Sequence, residues 1–327
     1  MKEIIAIVGS YDENARNVLH KELEGFKLIE IERAEDFSQM VDAKYVILRT
    51  LSIDKDTIAK MPRLKLIQRW GVGYNTVDIE AAGKAGVLVA ITSGVNAVPV
   101  AEYTLLLMLG VYRNLTVIHN NVRSGRWKDD SLVNRSYVIA GKTVGLIGLG
   151  AIGREVAGKV QGLGAQVIYY DSFRLPEAAE AELKITYSDL EQLMETADII
   201  SLHLPLNEHT KGLIGKSLLA RMKPTSILIN TARGGIINED ALYDVLRRRT
   251  ILGAGLDVFE QEPIAPGNRL LELDNVVVSA HCAGNTADNS INMAYHCVDN
   301  IKRVSGGLSL PQKDLVNMHY LCQEKVC

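Results

Sequence analysis

Short apolar runs rich in β-branched residues alternate along this chain with stretches that have the period of amphipathic helices. This alternation is typical of parallel β-sheets covered by helices. In the first hundred residues it predicts strands at Ile4–Val8, Tyr45–Leu48, Leu64–Gln68 and Val87–Ile91, and helices at Asn14–Glu24 and Thr57–Lys60.

A second α/β pattern opens at Thr143. It predicts six strands, the number in a complete dinucleotide-binding sheet. They are Val144–Ile147, Val167–Tyr170, Ile199–Leu202, Ile227–Asn230, Gly253–Leu256 and Val276–Ser279.

Two helical segments bound the second pattern. The segment from Pro99 to Arg113 is nearly all apolar, which predicts a helix buried on most sides, and Asn289 to Val304 is again helical. Because the later segment follows the last strand of the second unit, we expect it to return to the first. The sequence therefore predicts a discontinuous domain of residues 1–98 and 287–327 around a second domain of residues 99–286.

The first strand of the second unit runs into glycines at the three positions of the G-x-G-x-x-G pattern, Gly148, Gly150 and Gly153. The first glycine permits a tight turn, the second a close approach of a pyrophosphate, and the third close helix–strand packing. The next strand ends in Asp171, roughly 20 residues on, where an acid binds the adenosine ribose hydroxyls. The alternative is a glycine turn in an ordinary βα unit.

Composition limits the remaining function classes. The chain has 327 residues and a net charge of −3, which gives no reason to expect nucleic acid or an anionic membrane as partner. Its longest apolar run is too short for a membrane span, and the first strand lacks the features of a signal peptide, so we expect a cytoplasmic protein. The four cysteines show no metal-binding spacing, which predicts reduced thiols and no metal site. We expect Cys282 to face the protein interior, because free cysteine is usually buried and adjacent side chains on an extended chain point to opposite sides. The alternative is a reactive thiol beside His281.

Polar residues follow the strands of the second unit, at the edge where ligands of open α/β sheets bind. They include two histidines, one arginine and several carboxylates: His203, Thr231, Arg233, Asp257, Glu260, Glu262 and His281. This set suits hydride transfer coupled to proton transfer, with a histidine as acid or base beside a carboxylate, and an arginine as a fork for a carboxylate substrate. Position alone leaves the acid–base role open between His203 and His281. Each of these groups also has a purely structural alternative.

Three segments carry a family resemblance: Thr231 to Gly235, Leu256 to Pro263, and Ser279 to His281. They resemble the signature segments of the D-2-hydroxyacid dehydrogenases. The resemblance extends over nearly the whole chain, including Arg69 to Asn75, Asn96 to Glu102, and the His203–Pro205 segment with Thr210. Among subfamilies the chain is most similar to the phosphoglycerate dehydrogenase and hydroxypyruvate/glyoxylate reductase group.

The resemblance implies an α/β fold with two doubly wound parallel-sheet domains, a Rossmann domain inserted into a flavodoxin-like substrate domain, and an active site in the cleft. It implies that Arg233 binds the substrate, that His281 is the acid or base, and that Glu262 pairs with His281. Thr210 would lie at the pyrophosphate and Asp257 at the nicotinamide amide. Proposed NAD contacts are Gly148, Gly150, Ala151, Ile152, Gly153, Asp171, His203, Pro205, Thr210, Thr231, Ala232, Asp257 and Gly284.

The implied substrate is a small 2-oxo acid or D-2-hydroxy acid. Its proposed contacts are Arg49, Val72, Gly73, Asn96, Arg233 and His281. Arg49 would bind a second anionic group, with a surface charge as the alternative. The family also implies a homodimer formed through the cofactor domain, with the segment from Asn114 to Asn134 as its interface.

Two alternatives share the fold. One is a nucleotide-sensing corepressor of the C-terminal-binding protein type, and the other is a formate or phosphite dehydrogenase.

Overall fold

The computed structural model describes residues 2–321, which form two compact units. Unit 1 contains the described residues up to Asn96 and from Asn285 onward, and unit 2 spans residues 97–284. These bounds lie within two residues of those expected from the sequence. Each unit is built around its own parallel sheet.

The sheet of unit 1 has five strands in the order β2-β1-β3-β4-β5. This is the flavodoxin-like order, in which β2 lies on one side of β1 and β3 to β5 follow on the other. The switch point of the strand order therefore lies between β1 and β3. The sequence missed β2, an edge strand in which polar and apolar residues mix. The five strands are β1 (Ile4–Val8), β2 (Lys27–Ile31), β3 (Tyr45–Leu48), β4 (Leu66–Arg69) and β5 (Leu88–Ala90).

The sheet of unit 2 has seven strands, so the expectation of six is wrong. The strand that the sequence did not predict is β8, which is three residues long and lies at one edge of the sheet. The strands are β6 (Thr143–Ile147), β7 (Gln166–Tyr170), β8 (Ile185–Tyr187), β9 (Ile199–Leu202), β10 (Ile227–Asn230), β11 (Gly253–Leu256) and β12 (Val276–Val278). Their order is β12-β11-β10-β9-β6-β7-β8. The six strands from β6 to β11 have the Rossmann order, and β12 extends the sheet beyond β11.

Helices connect and cover these strands. They are α1 (Glu13–Glu22), α2 (Lys55–Ala59), α3 (Ile79–Lys84), α4 (Ala97–Tyr112), α5 (Leu115–Arg123), α6 (Ala151–Gly162), α7 (Glu177–Leu183), α8 (Leu190–Thr196), α9 (Lys216–Leu219), α10 (Glu239–Arg247), α11 (Ala287–Ser305) and α12 (Met318–Leu321). In unit 1, α11 packs on α1, and in unit 2 the apolar α4 packs on α6 and the sheet. Among residues 2–321, no helix combines the length and apolar character of a membrane span.

Cys282 and Cys297 are free thiols. Cys322 and Cys327, also predicted to be reduced, lie outside the described residues.

Candidate active site

The glycines after β6 differ in what surrounds them. Gly148 has φ +98°, and a Cβ there would lie 2.5 Å from the carbonyl oxygen of His203. A Cβ on Gly153 would lie 2.4 Å from the carbonyl oxygen of Gly148, whereas a Cβ on Gly150 would meet no atom within 4 Å. The first and third glycines therefore fit the tight turn and the helix packing, and the second borders open space.

The N-terminus of α6 faces that space. The amide groups of Ala151 and Ile152 donate to no acceptor among the described residues, and Gly150 provides no side-chain cap. Free amide groups at a helix N-terminus favour phosphate through hydrogen bonds and the helix dipole. The turn therefore fits the pyrophosphate of a dinucleotide.

Asp171 follows β7 beside this turn. Its Oδ2 accepts the amide of Leu149 at 2.7 Å, and its Oδ1 accepts the amide of Phe173 at 3.2 Å. A carboxylate has about four lone-pair sites, so acceptor capacity remains for ribose hydroxyls. With the free amides of α6, this carboxylate fits the adenosine end of NAD.

His281 and Glu262 form a hydrogen-bonded pair. Nδ1 of His281 lies 2.7 Å from Oε2 of Glu262, and Oε1 of Glu262 accepts the amide of Phe259 at 3.1 Å. Burial raises the pKa of Glu262, but the hydrogen bonds from His281 and Phe259, and the charges of His281 and Arg233, outweigh it and bring that pKa below its usual value. The carboxylate thus stays ionised and orients the imidazole. Nε2 of His281 donates to no described acceptor and remains free for a substrate.

The loop that carries His281 is held by Asp257, a buried carboxylate at the end of β11. Its Oδ1 accepts the Ser279 hydroxyl at 2.7 Å and the amide of Cys282 at 2.9 Å, and its Oδ2 accepts the amide of Ala283 at 2.9 Å. The amide of His281 donates to the Asp257 carbonyl at 2.7 Å. These bonds hold His281 at φ +49°, in the left-handed region that few non-glycine residues occupy. Asp257 therefore positions the loop, and its contact with a nicotinamide amide stays a prediction.

Arg233 lies in the turn after β10. Asn230, the last residue of that strand, accepts the amide of Ala232 at 3.0 Å and donates to the carbonyl of Arg233 at 3.0 Å. Gly234 is required here, because a Cβ would lie 1.7 Å from the carbonyl oxygen of Phe259. Burial lowers the pKa of Arg233, and the charge of Glu262 opposes that shift. The guanidinium nevertheless remains charged, because arginine titrates far above neutral pH.

His203 lies in a different environment. Its Nε2 is 2.9 Å from the hydroxyl of Ser201, and its Nδ1 has no partner among the described residues. Burial lowers the pKa of His203 to about 3, so the ring is neutral at physiological pH. A neutral ring without a carboxylate partner is a poor proton donor, which favours His281 for the acid–base role left open by sequence position.

The other proposed cofactor contacts follow the same strand ends. Thr210 donates to the carbonyl of Pro205 at 2.6 Å and so closes the loop after β9. Thr231 is buried, with its hydroxyl 2.8 Å from that of Thr104 on α4. Ala232 is buried next to it in the chain, and Gly284 lies in the loop between β12 and α11 that carries His281.

The proposed substrate loop lies after β4 in unit 1. The amides of Val72 and Gly73 donate to no described acceptor. The buried Arg69 donates to the carbonyl of Gly73 at 2.9 Å, and the amide of Gly71 donates to the buried Thr92 hydroxyl at 3.0 Å. Two successive free amides are donors of the kind that bind a carboxylate, and this substrate contact stays a prediction.

Arg49 and Asn96 are the remaining proposed substrate contacts, and both are partly buried. Arg49 follows β3, where its Nη1 donates to the carbonyl of Ser10 at 2.7 Å and its guanidinium lies 5.8 Å from the Tyr11 ring centre. The side-chain oxygen of Asn96 is buried and accepts no hydrogen bond from the described residues.

Cys282 corrects one expectation from the sequence, which favoured a buried thiol. It is only partly buried, with Sγ 3.5 Å from the Tyr103 hydroxyl. The expectation assumed alternating side chains on an extended chain, and the left-handed conformation of His281 breaks that alternation.

Sequence reasoning did not single out four residues that hold the site together: Tyr103, Ser201, Asn230 and Asp257 as a loop anchor. Ser201 and Asn230 carried a usable signal, because each is a polar residue inside an otherwise apolar buried strand.

Comparisons with known proteins identify the relatives of this chain. The family described as D-isomer specific 2-hydroxyacid dehydrogenase, NAD binding domain, matches residues 105–283. A glyoxylate reductase from Korarchaeum cryptofilum is 39% identical, over 84% of this chain and 82% of that protein. A D-3-phosphoglycerate dehydrogenase from Archaeoglobus fulgidus is 36% identical, over 84% of this chain and 51% of that protein.

A solved structure agrees in fold. The NAD-dependent formate dehydrogenase from Staphylococcus aureus in complex with NAD has a TM-score of 0.84 and 26% identity, over 96% of this chain and 98% of that one. This chain belongs to the D-isomer-specific 2-hydroxyacid dehydrogenase family, the NAD-dependent oxidoreductases that interconvert 2-oxo acids and 2-hydroxy acids.

Proposed function

We propose that in this NAD-dependent dehydrogenase His281 is the acid that protonates the substrate carbonyl oxygen, and the base in the reverse direction. The observation that carries this assignment is the 2.7 Å contact between Nδ1 of His281 and Glu262, which leaves Nε2 free. Bound NADH would supply the hydride. The proton leaves Nε2 as the carbonyl becomes an alcohol, and Glu262 keeps the ring oriented and stabilises its charged form.

We propose that Arg233 binds the substrate through its carboxylate and polarised carbonyl. A planar guanidinium suits this task, because it presents parallel donors to two oxygens. The free amides of Val72 and Gly73 are proposed as the second contact for the carboxylate, and Asn96 as a further polar contact.

For the remainder of the substrate we propose a second anionic group, bound by Arg49. Arg49 follows β3, next to β1, at the switch point where ligands bind in sheets with this strand order. One relative, the Archaeoglobus phosphoglycerate dehydrogenase, acts on a substrate with such a group. The alternative is an unbranched substrate such as glyoxylate, with Arg49 as a structural cation on Ser10.

A panel of 2-oxo acids with NADH tests these proposals. We expect turnover of glyoxylate or hydroxypyruvate. Phosphohydroxypyruvate should have a lower KM than either, and Arg49→Gln should abolish this difference in KM. His281→Ala should lower kcat by about 10²–10⁴ while the Kd for NADH stays unchanged. NADH binding without turnover of any 2-oxo acid would favour the corepressor alternative.

A formate dehydrogenase is the weaker alternative. The formate dehydrogenase from Staphylococcus aureus is 26% identical to this chain, whereas the glyoxylate reductase from Korarchaeum cryptofilum is 39% identical. Formate oxidation without reduction of any 2-oxo acid would reverse this preference.

We propose a homodimer formed through unit 2, in a cytoplasmic protein. Helix α5 has no buried residue, and large apolar side chains are exposed on it and on the following segment. Ile118 is 42% exposed, Trp127 83% and Val133 69%. Exposed apolar clusters of this kind mark protein interfaces. Light scattering should give twice the 35.9 kDa of the chain, and a monomer at micromolar concentration would rule the dimer out.

A further inference from the structure

We propose that Glu180 is a specificity-determining residue, which withholds Arg174 from the 2′-phosphate of NADP(H) and so adds to the preference for NAD(H). This inference rests on the proposed adenosine-ribose site at Asp171. Arg174 follows Asp171 by three residues, in the turn that leads from β7 to α7.

Arg174 and Glu180 form a two-point ion pair. Nε of Arg174 lies 3.0 Å from Oε1 of Glu180, and Nη2 lies 3.2 Å from Oε2. This fork-to-fork geometry is the strongest arrangement that arginine makes with a carboxylate. The same donors would be needed to bind a phosphate.

Glu180 is itself fixed in place. Its side chain is only 11% exposed, and its Oε1 accepts the Tyr169 hydroxyl at 2.8 Å. The Tyr169 hydroxyl in turn accepts the amide of Leu175, next to Arg174, at 2.8 Å. The hydrogen bond from Arg174, followed by that from Tyr169, lowers the pKa of Glu180, so the pair stays charged at neutral pH.

The Tyr187 ring is a further partner of the arginine, whose side chain remains 54% exposed. The guanidinium carbon of Arg174 lies 5.2 Å from the centre of this ring, on β8. Cation–π contact and the ion pair both hold the guanidinium over α7 and β8. The cation nearest along the chain to Asp171 is therefore already occupied by a carboxylate and a ring.

Asp171 and Glu180 would then exclude NADP(H) in different ways. The Asp171 carboxylate repels a 2′-phosphate directly. Glu180 neutralises the arginine that would otherwise attract one. Removing Asp171 alone should thus give only a partial switch, because Arg174 stays paired.

The test uses 5′-AMP and 2′,5′-ADP as probes in calorimetric titrations, since these ligands differ by the 2′-phosphate. Asp171→Ala should bind 2′,5′-ADP weakly, and Asp171→Ala with Glu180→Gln should bind it about tenfold more tightly, with unchanged affinity for 5′-AMP. Adding Arg174→Gln to the double variant should remove this gain in 2′,5′-ADP affinity. Adding Arg154→Gln instead should leave the gain unchanged. Arg154 is the matched control because it also lies at the turn, with its Nε 3.1 Å from the Leu149 carbonyl. The ratio of the KM for NADPH to the KM for NADH should likewise be lower in the double variant than in Asp171→Ala, and should rise again when Arg174→Gln is added.

A second measurement covers the case in which Glu180→Gln disturbs the fold. In the Asp171→Ala background with Glu180 intact, Arg174→Gln should leave 2′,5′-ADP affinity unchanged, because Arg174 is withheld. A loss of affinity there would overturn the inference, as would a Glu180-dependent gain that survives Arg174→Gln. Failure of the wild type to bind 5′-AMP would instead overturn the adenosine site on which the inference rests.

Discussion

Nδ1 of His281 lies 2.7 Å from Oε2 of Glu262, in a pair whose two members come from different loops of unit 2. Glu262 is fixed by the amide of Phe259 and His281 by the carbonyl of Asp257, so the backbone sets the geometry of both. One side of the imidazole is committed to the carboxylate, and the other side is available to a substrate.

We expect Glu262→Gln to move the basic limb of the reductive pH–rate profile to lower pH, by about one unit. Because the pKa of Glu262 lies below its ordinary value of 4.5, the carboxylate is ionised throughout the assay range. Its contribution to stability is lost only as the pH falls through the lowered value. Glu262 does not titrate in the assay range, so the basic limb reports the proton donor that we propose for the reaction. The neutral amide of glutamine would no longer stabilise the protonated form of that donor.

Glu260→Gln is the matched control for this profile. Its carboxylate accepts the amide of Glu239 at 3.1 Å rather than contacting His281. A Glu262→Gln profile that superimposes on both the wild type and this control would refute the pairing.

His203 leads to a prediction about stability rather than catalysis. Its pKa of about 3 in the folded protein is below that of an unfolded histidine, about 6.5. Between these values the unfolded state binds an additional proton, so this group lowers stability as the pH falls from about 6.5 towards 3. His203→Gln removes that proton uptake. Its free energy of unfolding should therefore decline less steeply on acidification, by up to about 1.4 kcal/mol per pH unit.

Urea unfolding between pH 5 and 7.5 measures this difference. Parallel curves for the variant and the wild type would show that His203 titrates normally in the folded protein. The limbs of the pH–rate profile should be the same in both proteins, because a ring that stays neutral contributes no limb.

Much of the fold followed from sequence because the central strands are buried on both faces. Strands β1, β3, β9 and β10 lie where apolar runs predicted them, since burial on both faces favours nearly continuous β-branched and aliphatic residues. The strands β2 and β8 were missed for the opposite reason. They lie at sheet edges, where polar residues interrupt the run and where length is short.

The site was predictable in its residue types but not in its geometry. The glycine spacing identified the turn at Gly148 and the acid at Asp171, because those positions are set by local backbone requirements. The left-handed conformation of His281 and the three hydrogen bonds to Asp257 depend on two loops that are distant along the chain. No local pattern encodes such contacts.

The glycines of the turn should respond in opposite ways to alanine. Gly148→Ala places a side chain at φ +98° and 2.5 Å from the His203 carbonyl, so we expect a loss of at least about 2 kcal/mol in stability. Gly150→Ala meets no atom within 4 Å, so the protein should keep its stability and lose affinity for NADH by about tenfold or more, because the methyl group would occupy the phosphate approach.

Gly158→Ala, in the same helix, is the control for both. A Cβ at that position also meets no atom within 4 Å, and it lies well beyond the first turn of α6. It should raise stability by roughly 1 kcal/mol and leave NADH affinity unchanged. Unchanged NADH affinity in Gly150→Ala would contradict the assignment of this turn to the pyrophosphate.

Cys282 should be alkylated at least about tenfold faster than Cys297. Cys282 is partly exposed beside Tyr103, whereas Cys297 is fully buried in unit 1, where burial raises its pKa. Because Cys282 directly follows His281, its modification should also reduce activity, and Cys282→Ser should retain activity in the presence of the reagent. Peptide mapping by mass spectrometry gives the rate at each cysteine separately. Equal labelling of the two thiols would contradict the difference in burial, and full activity after complete labelling of Cys282 would show that its side chain does not border the reacting groups.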